Sequence, residues 1–292
     1  MKPCRSCDCQ IPDSARLCPH CRAKHKRSDW GPQALLVSVS GAVAIGVLLE
    51  SCPDLAARTA LWTEDRPPAT AVATAVAPSF RQIEGGTIPS GALPTIARLK
   101  YEGGGDWYAN PSSLPNLLTA IRERTGIRVA SRPAEVGLTD PDLADYPYLY
   151  MTGHGNFRLS DEGLERLGRY LQTGGFLHAD DNYGLDESFR REIERVFPDR
   201  PLVEVPLDHP VYSIFYELPD GLPKVHEHDG LAAQGFGIFI GGRLALFYSY
   251  QSDLGDGWED AGVHDDTDEV REQALQMGVN LFLYALTSGP ER

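Results

Sequence analysis

Apolar residues in this chain follow two rhythms. Short continuous apolar runs alternate with stretches in which apolar residues recur every three or four positions. The first rhythm predicts buried strands and the second amphipathic helices. The clearest case lies in residues 146–184. Tyr148, Leu149, Tyr150 and Met151 form a strand-length run. Ser160 then offers a hydroxyl N-cap, and Asp161 and Glu162 follow in a first turn where the helix dipole favours acids. Leu164, Leu167, Tyr170 and Leu171 give that helix one apolar face, and Gly174 and Gly175 end it. A second strand covers residues 176–179, with Asp180, Asp181 and Asn182 at its carboxyl end. Strand, helix and strand with short connections make a βαβ unit, hence a parallel sheet and an α/β fold.

The same reading predicts strands at residues 96–101, 127–130 and 202–205. Helices are predicted at 116–125, 187–196 and 270–286, the last with Val270, Ala274, Met277, Leu281 and Tyr284 on one stripe. Residues 237–240 and 243–248 read as a hairpin around Gly241 and Gly242, which permit the positive φ angles a tight turn needs.

The first part of the chain has a different pattern. Cys4-x2-Cys7, ten residues, then Cys18-x2-Cys21 is the spacing of a Cys4 zinc ribbon over residues 1–29, with a closed, structural Zn2+ site. Cys9 competes with Cys7 as a ligand, His20 and His25 read as solvated, and a disulfide-linked or disordered tail is the competing reading. Lys24, Lys26 and Arg27 precede residues 30–49, which hold no charged residue and are long enough to cross a bilayer. A span over residues 30–50 is therefore expected, with a buried soluble helix as the alternative. The basic flank puts the ribbon in the cytoplasm and the rest outside, as in a single-pass inner-membrane protein whose helix partners with lipid. Residues 51–93 read as a linker, with Pro67, Pro68 and Pro78 among Ala, Val and Thr. The main domain is expected over residues 94–290.

Charge sharpens this division. The 292 residues carry a net charge of −14. Residues 1–30 hold seven Lys/Arg against three Asp/Glu, a surplus of four, so the remainder holds 20 against 38, or −18. Such an acidic main domain argues against a nucleic-acid partner. No cysteine follows Cys52, so the main domain has neither a disulfide nor a thiol nucleophile.

Ligands in open α/β sheets sit beyond the strands' carboxyl ends. Asp180, Asp181 and His154 are accordingly the candidate catalytic residues: adjacent carboxylates that hold a hard cation or separate their pKa values, and a loop histidine flanked by glycines. Each has a bland alternative as a cap, a solvated acid or a backbone-satisfied ring. Asn182, Asp208, His209, Asp253, Asp256, Trp258, Glu259 and Trp107 are candidate ligand-binding residues. Trp107 and Trp258 lie beside glycines and acids, where an indole can stack on a sugar or simply fill a gap. His226, Glu227, His228 and Asp229 are metal-capable neighbours, of which an extended segment brings at most two to one ion.

Four stretches, RLKYEGGGDW, the 146–184 segment, FPDRPLVEVPLDHPVY and SDLGDGWE, occur in an order that resembles an uncharacterised bacterial family. That family is grouped by fold with class I glutamine amidotransferase-like proteins. The resemblance covers nearly all of residues 95–288. It implies a flavodoxin-like, mostly parallel sheet between helices. It brings no activity, and with no cysteine near Asp180 the glutaminase nucleophile is missing. Two functions therefore stand: a non-catalytic module binding a protein or carbohydrate, and a carboxylate- or metal-dependent hydrolase of cell-envelope carbohydrate.

Overall fold

The structure, a computed structural model, describes residues 93–289 together with two short strands near the amino terminus. These are β1 (Lys2–Pro3) and β2 (Gln10–Ile11), which pair antiparallel with Lys2 opposite Ile11. The expected zinc ligands Cys4, Cys7, Cys18 and Cys21, the expected span and most of the linker lie outside the described residues. Among the described residues, no helix is long and apolar enough to cross a membrane.

Seven strands form the main sheet: β3 (Ile96–Lys100), β4 (Ala134–Gly137), β5 (Tyr148–Met151), β6 (Phe176–Asp180), β7 (Val203–Glu204), β8 (Gln234–Ile240) and β9 (Arg243–Tyr250). Their spatial order is β4-β3-β5-β6-β9-β8-β7. The first five strands of that order are parallel, and only β8 runs against the rest. Counted without the β7–β8 excursion, this is the 2-1-3-4-5 order of flavodoxin-like sheets.

Helices α1 (Ser113–Thr125) and α5 (Asp268–Thr287) pack on one face, and α2 (Asp161–Gln172) and α3 (Asp186–Val196) on the other. Strand residues alternate between the two cores. Tyr148 and Tyr150 meet the α1–α5 side, while Leu149 and Met151 meet the α2–α3 side. Central strands buried on both faces favour apolar residues, which is why β5 stands out as a continuous run, while β6 is interrupted by the buried His178 and Asp180. Ser160 caps α2 by accepting the Gly163 N–H at 3.2 Å. Gly126 ends α1 in the left-handed region.

Several boundaries shift by one to three residues from the sequence reading, and three elements differ from it in position, length or first turn. Residues 127–130 form no strand, and the partner of β3 is Ala134–Gly137, with Ala97 opposite Ala134. Ile127 and Val129 instead pack into the α1–α5 core, so their apolar signal marks burial rather than pairing. β7 shrinks to two exposed residues at the sheet edge. α1 begins at Ser113, with Pro115 in its first turn, where a missing N–H costs nothing. The hairpin turn is as expected: Gly241 and Gly242 have φ of 57° and 79°.

A candidate histidine–carboxylate site at the strand ends

The rim formed by the carboxyl ends of β3, β5, β6 and β9 gathers most of the polar residues singled out above. Loops after β3 and β5 are stitched together by Gly105 N–H to Asn156 O at 3.1 Å and Asp106 N–H to His154 O at 3.3 Å. Gly153, at φ 139°, is required there, because a side chain would run into Tyr101 and the Asp106 backbone. Asp106 accepts the His154 backbone N–H through Oδ1, and its Oδ2 lies 3.1 Å from the His154 Nδ1. The half-exposed His154 ring is thus tied to Asp106, not to Asp180. Trp107 is half-buried against the α2–α3 core and meets Tyr108 edge-on.

Asp180 is completely buried. Its Oδ1 accepts from Ser249 Oγ and the Leu254 N–H, and its Oδ2 from Tyr150 OH and the Gly255 N–H, the last at 2.7 Å. Burial pushes its carboxyl up to about 7, against the pull of the Ser249 and Gly255 donors. His178, equally buried, has Nδ1 3.0 Å from Tyr148 OH and Nε2 2.9 Å from Ser249 Oγ. Burial lowers its pKa to about 3, so the ring is neutral. Tyr148, His178, Ser249 and Asp180 thus form a chain that superficially looks like a serine–histidine–aspartate relay. All four are fully buried, so it braces the sheet and offers no nucleophile to solvent. Asp181 is also buried and is pushed up to about 6 by burial, then by Asp186 and Asp253.

The Asp180 donors explain the next loop. Gln251 and Asp253 both adopt positive φ, near 58° and 59°, and turn the chain sharply off β9. The Leu254 and Gly255 N–H groups at the start of the one-turn helix α4 (Leu254–Gly257) are then held by the Asp180 carboxylate. Gly255 lies against Tyr150, Asn110 and Asp180, and Gly257 against Ala274, so neither has room for a Cβ. Trp258 has no exposed surface, and its Nε1 donates to Ala274 O at 2.7 Å. It fills the space under α5 and is not a plate for a sugar; its glycine and acid neighbours misrepresent its environment.

This turn aims Asp253, Asp256 and Glu259 at three histidines. Asp256 Oδ1 accepts from the side-chain amides of Asn110 and Asn182, the latter at 3.2 Å. Its Oδ2 lies 3.0 Å from His226 Nδ1 and 3.7 Å from His264 Nδ1. Asp253 Oδ2 lies 3.4 Å from His226 Nδ1 and pairs closely with His228 Nε2. The outer ring nitrogens are held as well: His226 Nε2 by Asp266 at 3.1 Å and His264 Nε2 by Glu259 at 2.9 Å. Asp253 and Asp256 raise the His226 pKa to about 10. Asp253 likewise raises that of His228, whose ring stacks on Tyr183 at 4.7 Å. His226 and His228, two apart on an extended stretch, reach one carboxylate, as strand alternation allows.

Asn182 therefore belongs to this site as a strut: it accepts from Thr152 Oγ1 at 3.0 Å and donates to Asp256. Asp208 and His209 do not join it. His209 packs on Tyr284 and Phe239, and the Tyr284 OH takes the N–H of Leu244 at the amino end of β9, the opposite rim. Its Nδ1 caps the following 3-10 turn by accepting from Val211 N–H, while Asp208 stays exposed. His264, Asp266 and the buried pair His178 and Ser249 were not apparent from the sequence. Only the acid- and histidine-rich run at 263–269 hinted at the first two.

Fold and site together define an α/β domain of flavodoxin-like strand order with a histidine–carboxylate cluster at its strand ends. Residues 95–286 match the family described as a domain of unknown function, DUF4159, and the chain belongs to that family. No curated protein matches the chain.

Proposed function

We propose that this chain is a membrane-tethered binding module, with an amidotransferase-like domain that has lost its nucleophile. One observation carries this reading. At the strand end where an amidotransferase presents a thiol, Asp180 is buried and engaged by four donors, so the position serves architecture rather than attack. The absence of cysteine after Cys52 supports it. In this arrangement a cytoplasmic Cys4 zinc ribbon (Cys4, Cys7, Cys18, Cys21) and one helix over residues 30–50 hold the acidic domain outside the inner membrane. There it takes a protein or carbohydrate ligand at the rim that carries Asp253, Asp256 and Glu259.

A second reading, a metal-dependent hydrolase of envelope carbohydrate, is favoured by the imidazole–carboxylate cluster. One experiment separates the two. The purified chain, supplied with Zn2+ or Mn2+, is incubated with a panel of cell-envelope glycans and with glutamine. Saturable glycan binding with no new reducing ends and no ammonia supports the binding module. Metal-dependent hydrolysis supports the second reading, and ammonia release from glutamine overturns both.

A further inference from the structure

His226 and His264 share a feature that simple ion pairing does not satisfy: both ring nitrogens of each face carboxylate oxygens. A neutral imidazole has one N–H and one lone pair. With Nε2–H donated to Asp266 or Glu259, the Nδ1 lone pair points at Asp256 Oδ2, acceptor against acceptor. Positive charge has to lie between them, either as an added proton on each ring or as one shared cation.

Three observations favour the cation. One ligand atom each from His226, Asp256 and His264 lies within 4.8 Å of the other two. A tetrahedral ion with bonds of about 2.0 Å has ligand–ligand edges of about 3.3 Å. The Nδ1–Oδ2 separations of 3.0 and 3.7 Å fall on either side of that edge. Next, carboxylates on the far nitrogens are what fixes the tautomer of metal-bound histidines, and amides on Asp256 Oδ1 leave Oδ2 turned inward. Finally, and independently, Asp253 is 1% exposed, its Oδ2 faces His226 and His228, and its Oδ1 has no partner. Ring protons leave this buried oxygen unsatisfied. Water on a cation held beside Asp253 would supply that donor.

We propose that His226, Asp256 and His264 bind a divalent transition-metal ion, with Asp253 beside it and Asp266 and Glu259 orienting the two rings. Imidazole and carboxylate without thiolate favour Zn2+, Mn2+, Fe2+ or Co2+ over Ca2+ or Mg2+. Three protein ligands leave a coordination position for the ligand that the binding reading requires. The inference deepens that reading, but its test reads metal and not glycan, so either can fail while the other stands.

The test uses the full chain in detergent, stripped of metal and titrated with Co2+. Cobalt held by nitrogen and oxygen lacks the thiolate charge-transfer bands of cobalt held by cysteine, so this site is distinguished from residues 1–29 in one spectrum. A Cys18→Ser/Cys21→Ser variant should retain one equivalent of nitrogen- and oxygen-bound cobalt. In that background His226→Ala or His264→Ala should weaken binding about 100-fold or more, and Asp266→Asn or Glu259→Gln about 10- to 100-fold. Circular dichroism and melting of the metal-free variants check folding. If His226→Ala does not fold, His264→Ala and Asp266→Asn make the same discrimination. Absence of nitrogen- and oxygen-bound cobalt, or unchanged affinity in His264→Ala and Asp266→Asn, would overturn the proposal and leave a protonated ion-pair network.

Discussion

At Asp180 a carboxylate has none of its surface in water, yet its four donors come from three parts of the fold: β5, β9 and, twice, the start of α4. Replacing it by Asn keeps the shape but turns one acceptor into a donor facing donors. Asp180→Asn should therefore lower stability by about 2 kcal/mol, measured by urea denaturation. The buried pair also sets a pH dependence. Both folded pKa values, about 7 for Asp180 and about 6 for Asp181, lie above the ordinary 3.8. Folding then favours the protonated forms, so their stabilising contribution is complete below the unfolded pKa and is lost as pH rises through the folded values. Melting temperature should fall between about pH 4 and about pH 7, and Asp181→Asn should flatten the lower part of that decline. A decline of unchanged slope in that variant would contradict the assignment.

At the scale of elements, the 253–259 turn shows how close packing dictates sequence. Gly255→Ala places a methyl group against Asn110 Nδ2 at 2.8 Å and Asp180 Oδ2 at 3.1 Å and should cost about 1–3 kcal/mol. Gly168, inside α2, meets only Val196 at an ordinary 3.5 Å, so Gly168→Ala should stabilise by about 0.5–1 kcal/mol through helix propensity. Thermal denaturation of the two variants tests both signs. Elements were legible where burial and period coincide: β5, α2 and β6 each carry a complete pattern. β4 was not, because an edge strand with one buried residue, Val136, has little apolar signal beside the stronger run at 127–130. The site was half legible. Residue types and glycine spacing announced Asp253, Asp256 and Glu259, but whether an indole is buried, or which histidine a carboxylate meets, depends on contacts far apart in sequence. For Trp258 the gap-filling reading therefore holds and the sugar-stacking one does not, and His264 was missed.

For the whole molecule, the distribution of charge and cysteine makes the testable statement. The basic start, with five of the six cysteines, and the acidic remainder, without cysteine after Cys52, are what the proposed topology across a membrane rests on. Alkaline phosphatase fused after residue 95 should be active, and a fusion after residue 25 inactive; the reverse would overturn the topology. The α/β domain itself separates its two rims by task. Every member of the histidine–carboxylate cluster lies at the carboxyl ends or on segments delivered there. His209 and the hairpin turn occupy the other rim.

That separation gives the Gly241–Gly242 turn a practical use. It is exposed, a Cβ at either glycine would meet open space, and it lies where β9 begins, a strand's length from the cluster. Exposed tips of this kind accept insertions. An affinity tag or dye placed there would serve as an anchor point, orienting the domain on a sensor surface with its histidines facing the flowing sample.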